Sequence, residues 1–190
     1  MLVDDQQVIQ QVLSGNPAAY AELVDQYQRR LLGLLVHSCG DRELAEDIAQ
    51  DAFAQSFRKL HMFSGESQFY TWLARIAMNL LISDRRKRRL ENQVRQEGFE
   101  TAMDSVGNES APDARLELNE TQRCVHAAIA MLDEERRIVL MLRDFDGMDY
   151  ETISSTLDIP VGTVRSRLHR ARLELRSILQ SKAVELGIIK

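Results

Sequence analysis

The apolar residues of this sequence recur with the period of an α-helix in nearly every segment, and this pattern restricts the fold more than any other feature. No segment alternates apolar and polar residues for long enough to predict a β-strand. In the segment 42–60 the apolar residues fall on one broad arc of a helix, at Leu44, Ile48, Ala49, Ala52, Phe53 and Phe57. We therefore expect an all-α protein.

Helix-ending residues divide the N-terminal half into four helices. Gly15 suits the end of the first helix, and Asn16-Pro17 supplies an N-cap and a first-turn proline for the second. Asp41 suits the N-cap of the third helix, at 42–60. A fourth helix is expected to begin near Ser67 and to end in the basic run 85–89, with a buried stripe at Phe69, Leu73, Ile76 and Leu80.

The composition changes between residues 96 and 120, where glycine, serine, proline and acidic residues replace large apolar ones. This segment holds seven carboxylates and one arginine, which predicts a flexible acidic linker. We expect two small helical domains, at 1–95 and 121–190, on either side of it.

The segment 137–179 has the spacing of a helix-turn-helix. Its expected parts are a helix at 137–145, a turn at 146–147, a short helix from 149 to 157, a break at 158–159 and a longer helix from 160. Asp149 suits the N-cap of the short helix, and Pro160 is tolerated at the start of the long one because its missing N–H costs nothing there. Small Ser154 lets the two helices cross closely.

The last helix is expected to bury Val164, Leu168, Ala171 and Leu175. This leaves an outward face near its N-terminal half, formed by Arg165, Ser166, His169 and Arg170. In a helix-turn-helix this part enters the major groove, where arginine pairs with guanine and serine bonds a base or a phosphate. The alternative is a charged, solvated helix face. The segment 163–177 favours DNA because it holds five arginines against one glutamate.

The segment 61–89 combines aromatic residues with a basic C-terminal end. The aromatic residues are Phe63, Phe69, Tyr70 and Trp72. Aromatic rings stack on unpaired bases while lysine and arginine hold the backbone, so the segment suits single-stranded or melting DNA. Phe69 and Trp72 share the apolar stripe, for which a core role is the alternative. Tyr70 lies outside that stripe and is expected on a solvent-exposed face.

The net charge of −5 argues against an indiscriminate DNA binder, because such proteins are usually basic. The charges are nevertheless concentrated. Seven lysines and arginines lie in 75–95, five arginines lie in 163–177, and five carboxylates lie in 41–51. We expect separate partners for separate segments.

The sequence indicates neither an enzyme nor a metal protein nor a membrane protein. The histidines lie in unrelated segments, no nucleophile has a base at motif spacing, and Cys39 and Cys124 belong to no cluster. No apolar run is long enough to cross a bilayer, and the N-terminus lacks signal-peptide features. We expect a cytoplasmic protein with no catalytic residue, metal, cofactor or small-molecule substrate.

Two blocks of the sequence resemble conserved regions of the extracytoplasmic-function (ECF) sigma factors, which belong to the sigma-70 family. The block FSGESQFYTWLARIAMNLLISDRRKRR, at 63–89, is similar to their region 2, and DGMDYETISSTLDIPVGTVRSRLHRARLELR, at 146–176, is similar to their region 4. The resemblance covers most of the chain except the linker. It implies a subunit that gives RNA polymerase its promoter specificity and helps to open the DNA.

The resemblance also assigns residues to each role. Recognition and melting of the −10 element would use Phe63, Ser64, Gly65, Ser67, Tyr70, Trp72, Arg75, Asn79, Arg85 and Arg86, with the loop 63–67 and Asn79 forming a pocket for a flipped base. The −35 element would be read by Arg165, Ser166, His169 and Arg170, with Tyr150 and Thr163 on phosphates.

The resemblance implies three partners: promoter DNA, core RNA polymerase and an anti-sigma factor. Asp47, Gln50 and Asp51, on the exposed face of the third helix, would dock on the clamp helices of the largest polymerase subunit, and the flap of the polymerase is implied as a second contact. Without the resemblance, a solvated helix face is the preferred interpretation of these three residues.

Two residues depart from the family pattern. Ala74 is small where some relatives place an aromatic residue, and Ser154 stands where many helix-turn-helix proteins have alanine. The alternative function is a conventional helix-turn-helix regulator, in which residues 1–95 form a helical sensor or dimerisation domain. Such a regulator is expected to dimerise on a palindrome, whereas a sigma factor joins the polymerase one to one.

Overall fold

The structure is a computed structural model and describes residues 4–96 and 120–185. Within these ranges every regular element is helical and no strand occurs, which confirms the all-α prediction. The α-helices are α1 (Asp5–Leu13), α2 (Tyr20–Cys39), α3 (Arg42–Arg58), α4 (Phe69–Gln96), α5 (Glu120–Ala130), α6 (Glu134–Leu140), α7 (Tyr150–Leu157) and α8 (Val161–Glu185). Short 3₁₀ turns occur at Pro17–Ala19 and Leu60–Met62, and a π-helical turn follows α6 at Met141–Phe145.

These residues form two compact units. The first comprises 4–35 and 42–96, and the second comprises 36–41 and 120–185. The predicted linker lies outside the described residues except at its two ends, Gln96 and Glu120, which are helical. No helix of the described ranges is long and apolar enough to cross a membrane.

In the first unit, tyrosine hydroxyl groups tie α2 to its neighbours. The hydroxyl of Tyr20 donates to the carbonyl of Phe53 at 3.0 Å and lies 2.5 Å from the hydroxyl of Ser56. Tyr27 donates to the Asp5 carboxylate at 2.7 Å, and burial together with this carboxylate raises the pKa of Tyr27 to about 12. Both tyrosines therefore stay protonated and act as donors at neutral pH.

Helix α3 packs on α4, but its buried face is shifted from the predicted arc. Ala45, Ile48, Ala52, Phe53 and Ser56 are buried, whereas Leu44 and Ala49 are half-buried. Phe57 is 40% exposed, so its predicted burial is wrong. Since Ser56 points inward to Tyr20, Phe57 turns outward and meets the edge of the Tyr20 ring, with centroids 5.0 Å apart.

Helix α4 buries two sides of its N-terminal half rather than one stripe. Phe69, Leu73 and Ile76 are buried as predicted, Leu80 is only half-buried, and Ala74, Ala77, Met78 and Leu81 are buried as well. The prediction that Tyr70 is exposed to solvent is wrong, because this side chain is 2% exposed. The Arg30 guanidinium lies 3.8 Å from the centre of its ring, and the Tyr27 ring lies 5.5 Å away.

In the second unit, α5, α6 and α7 all pack on α8, and α7 with α8 forms the predicted helix-turn-helix. Asp149 caps α7 by accepting from the Thr152 N–H at 2.6 Å, and this hydrogen bond lowers the pKa of Asp149. Asp158 ends α7 in the left-handed conformation, with φ of 53°. Ser154 donates to the carbonyl of Ile159 at 2.6 Å, so its hydroxyl supports this turn.

The burial of Tyr70 leads to a stability prediction. Replacing Tyr70 with alanine removes a fully buried ring and should lower the free energy of unfolding of the first unit by about 3–5 kcal/mol. Urea denaturation can be followed by fluorescence of the single tryptophan, Trp72, which lies in this unit. Phe57→Ala is the aromatic control, with a smaller expected loss because Phe57 is 40% exposed. Equal losses in the two variants would contradict the burial of Tyr70.

Candidate nucleic-acid interface

The N-terminal half of α8 carries an exposed polar face. Arg165, Ser166, His169 and Arg170 are all exposed, whereas Val164, Leu168 and Ala171 are buried. The predicted orientation of this helix is therefore confirmed, except that Leu175 is only half-buried. Ser166 donates to the carbonyl of Thr163 at 3.0 Å, which leaves its oxygen open as an acceptor.

Two of the five arginines in 163–177 pair with carboxylates outside α8. Arg167 pairs with Glu135 at 2.5 Å, and Arg172 holds Asp144 through two nitrogen atoms at 2.5 and 2.9 Å. The count of five arginines therefore overstated the signal for DNA. For Arg165 and Arg170, no ion pair is found within residues 4–96 and 120–185. On the N-terminal half of α8, Arg165 and Arg170 thus carry positive charge that is open to a ligand, and Arg176 is exposed farther along the helix.

Tyr150 and Thr163 lie next to this face and are half-buried. Tyr150 is the first residue of α7, and two guanidinium groups lie near its ring: Arg143 at 5.0 Å and Arg165 at 5.7 Å from the ring centre. Arg143 was not predicted as part of this site, because a lone arginine in an apolar helix resembles a solvent contact. The sequence signal that points to Arg143 is its position on the other side of the 146–147 turn from Tyr150.

A second polar face runs along α4. At 3.6 residues per turn, Trp72, Arg75, Asn79, Ser83 and Arg86 fall within an arc of about 80°. Arg75, Asn79, Ser83 and Arg86 are exposed and Trp72 is half-buried. Arg85 is half-buried and lies outside this arc. Of the residues predicted to contact the −10 element, four thus share one face of α4, while Tyr70 and Arg85 do not.

The loop before α4 is exposed at Ser64, Gly65 and Ser67, and Gly65 has a positive φ of 75°. Phe63 is half-buried and packs on Trp72, with centroids 5.3 Å apart, and edge-on against Phe69 at 5.9 Å. Asn79 lies ten residues beyond the start of α4, or about 15 Å along the axis. The structure therefore brings Phe63 to Trp72, whereas Asn79 lies farther along the helix.

A third face, on α3, is acidic. Asp47, Gln50 and Asp51 are exposed, as predicted, and Ala54 and Phe57 extend the same face by two turns. An apolar groove adjoins it, lined by Pro17, Ala18, Tyr20, Ala21, Phe53, Ala54 and Phe57. This surface thus offers carboxylates beside apolar area, which is a combination suited to a protein partner.

The described residues contain no group of three or more histidine, cysteine or carboxylate side chains that could hold a metal ion. Two of the histidines thought to lie in unrelated segments are neighbours in the second unit. The rings of His37 and His126 have centroids 4.3 Å apart, and desolvation together with His37 lowers the pKa of His126. Cys39 and Cys124 are free thiols.

Comparison with known families matches both halves of the chain. Residues 23–91 match the model of sigma-70 region 2, and residues 122–175 match that of sigma-70 region 4. The chain is 38% identical over 181 residues to the RNA polymerase sigma-H factor of Pseudomonas aeruginosa, covering 93% of this chain and 94% of that protein. It is 35% identical over 176 residues to the ECF RNA polymerase sigma-E factor of Escherichia coli, covering 88% and 90%.

Solved structures agree with these matches. The sigma factor RpoE of Bartonella quintana, solved in complex with the anti-sigma factor NepR, has a TM-score of 0.66 and 25% identity, covering 85% of this chain and 96% of that one. CnrH, solved with the cytosolic domain of CnrY, shares the fold, with a TM-score of 0.61, 23% identity and coverage of 93% and 97%. The chain therefore belongs to the sigma-70 family and, within it, to the ECF group of RNA polymerase sigma factors.

Proposed function

We propose that this sigma factor joins core RNA polymerase, reads the −35 element with residues 121–190, and recognises and opens the −10 element with residues 1–95, the two parts being linked by 96–120. It acts in the cytoplasm, without catalytic chemistry or a cofactor. The observation that carries the proposal is the exposed face of α8, Arg165, Ser166, His169 and Arg170, on the second helix of a helix-turn-helix. Family membership disfavours the conventional regulator.

Recognition of the −35 element follows from the chemistry of the α8 face. A guanidinium group pairs in bidentate fashion with O6 and N7 of guanine in the major groove. Arg165 and Arg170 are both exposed, so each is able to reach a base edge. Thr163 and Tyr150 flank this face and suit phosphate contacts, as does the helix N-terminus.

Opening of the −10 element is assigned to the α4 face and the preceding loop. Trp72 and Phe63 provide ring faces, Arg75 and Arg86 provide positive charge, and the Asn79 amide can bond an unpaired base. Unstacking a base costs a few kcal/mol, part of which is returned when the base is captured. Tyr70 has no place in this contact surface, because Arg30 and Tyr27 cover its ring.

Binding of core polymerase is assigned to the α3 face. Its carboxylates at Asp47 and Asp51 suit a basic partner, and Phe57 beside the apolar groove adds area that favours burial. The clamp helices of the largest subunit are the expected partner of this face, and the flap is expected to contact the second unit. Because a relative, the sigma factor RpoE of Bartonella quintana, was solved with an anti-sigma factor, we expect an anti-sigma factor here as well.

The −35 assignment can be tested with holoenzyme on a library of promoter fragments, by sequencing the run-off transcripts. Arg165→Ala/Arg170→Ala should lower initiation about tenfold or more, through the upstream element alone, since each bidentate base contact contributes about 1–3 kcal/mol. Arg123→Ala/Lys182→Ala removes the same charge elsewhere in the second unit and should have a small effect. An equal loss with both pairs of substitutions would show that Arg165 and Arg170 act through their charge alone and not through base contacts. Absence of polymerase binding, together with dimeric binding to duplex DNA, would support the regulator.

The −10 assignment predicts a defect in opening rather than in upstream binding. Arg75→Ala/Asn79→Ala should lower the permanganate reactivity of unpaired thymines about tenfold, because the captured strand loses contacts that offset unstacking. Arg88→Ala is the control, since Arg88 points to the opposite side of α4 and pairs with Asp84 at 2.7 Å. Normal opening in the double variant would refute this use of α4.

The assignment of α3 predicts a defect in assembly. Asp47→Lys/Asp51→Lys should weaken binding to core polymerase tenfold or more, because like charges facing each other cost several kcal/mol. Fluorescence titration with core enzyme measures this affinity. Asp25→Lys, an equally exposed site on α2, is the control and should bind nearly as well as the native chain. Unchanged affinity in the α3 variant would place the polymerase contact elsewhere.

A further inference from the structure

The ring of Tyr150 lies between the turn that precedes α7 and the DNA-facing side of α8. The guanidinium carbon of Arg143 is 5.0 Å from the ring centre and that of Arg165 is 5.7 Å from it. Both distances are within the range of about 6 Å over which a cation is attracted to an aromatic face. One ring thus contacts an arginine of the scaffold and an arginine of the exposed face.

The position of this ring is set by the turn and the helix cap. Arg143 donates from Nη1 to the carbonyl of Met148 at 2.7 Å, across a turn in which Gly147 has a positive φ of 73°. Met148 is buried, and Asp149 caps α7 one residue before Tyr150. The backbone on the N-terminal side of Tyr150 is therefore held at Met148 and Asp149.

Arg165 differs from Arg167 and Arg172 of the same helix in how it is held. Arg167 and Arg172 are anchored by the carboxylates of Glu135 and Asp144. Arg165 is exposed, and within the described ranges its side chain has the Tyr150 ring as its contact. An arginine side chain has large rotamer entropy, which is lost when it binds, so a contact that orders it beforehand lowers the cost of binding.

We propose that Tyr150 is a positioning residue for promoter specificity: its ring holds the guanidinium of Arg165 in place for base recognition. This role rests on the proposed reading of the −35 element by Arg165. It differs from the phosphate contact implied by the resemblance, because a phosphate contact needs the hydroxyl of Tyr150 whereas ordering of Arg165 needs the ring. Tyr150→Phe keeps the ring and removes the hydroxyl, and Tyr150→Leu removes the ring and keeps apolar volume.

The first experiment uses the full chain without polymerase or DNA. The Nε–Hε resonance of Arg165 should be displaced by the ring current in the native chain and in Tyr150→Phe, and should return to the position of a solvated arginine in Tyr150→Leu. Thermal unfolding of the three proteins checks that the second unit is folded. An Arg165 resonance at the solvated position in the native chain would overturn the proposal.

The second experiment uses holoenzyme on promoters that carry every single-base change in the −35 element. The position read by Arg165 is the one at which Arg165→Ala abolishes base preference. At this position Tyr150→Leu should reduce preference for the native base about two- to fivefold, in line with the strength of exposed cation–π contacts. Tyr150→Phe should keep the preference, and Tyr150→Leu should add no loss of preference to Arg165→Ala.

The outcomes separate this proposal from the proposed function. If Tyr150→Phe loses as much as Tyr150→Leu, the hydroxyl matters and the positioning role is wrong. A loss that persists when Tyr150→Leu is added to Arg165→Ala also contradicts it, because the ring then acts by another route. If Arg165→Ala changes no base preference although the resonance is displaced, the reading of bases by Arg165 is wrong, and the specificity role of Tyr150 is wrong with it.

Discussion

The buried seam of α8 determines what the second unit can present to a ligand. Val164, Leu168 and Ala171 recur at helical spacing and are fully buried, with α5, α6 and α7 packed on α8. Because this seam fixes the rotation of the helix about its axis, the residues on the side away from the seam must face outward. Arg165 and Arg170 are exposed for this reason. A recognition surface of this kind therefore needs an apolar seam on the other side of the same helix.

The buried residues of α4 likewise determine which of its side chains face outward, but they leave a narrower polar face. Its buried residues occupy more than half of the helix circumference in the N-terminal half, since Tyr70 and Ala74 are buried in addition to Phe69 and Leu73. The remaining arc is narrow, and it runs from Trp72 to Arg86. A narrow polar strip that begins beside aromatic rings suits one strand of nucleic acid better than a duplex, because single strands are held by stacking along a charged track.

Helical periodicity and turn residues were enough to predict the all-α fold, the helix-turn-helix and the outward face of α8. They failed where a residue distant in sequence decides burial. Tyr70 is covered by Arg30, and Phe57 is turned outward because Ser56 bonds Tyr20. Neither neighbour is visible in a local pattern. Tyrosine occurs at both buried and exposed sites, because its ring gains from burial while its hydroxyl needs a partner. The residue type alone therefore does not predict the burial of Tyr70.

The arginines of α8 are a second case in which residues distant in sequence decide what a local pattern means, because some of them are paired with such residues. The same pairing explains how an acidic chain can bind DNA. Glu135 and Asp144 pair with Arg167 and Arg172 of α8, and Glu174 of α8 pairs with Arg136, so these charges cancel within the second unit. Arg165 and Arg170 keep positive charge on the exposed face, which is the proposed site of base contacts, although the whole chain carries −5. A short basic patch on an acidic protein neutralises few phosphates, so its non-specific affinity is low and its salt dependence shallow. We therefore expect such a subunit to gain its DNA affinity mainly from the polymerase and to supply the choice of sequence with its own residues.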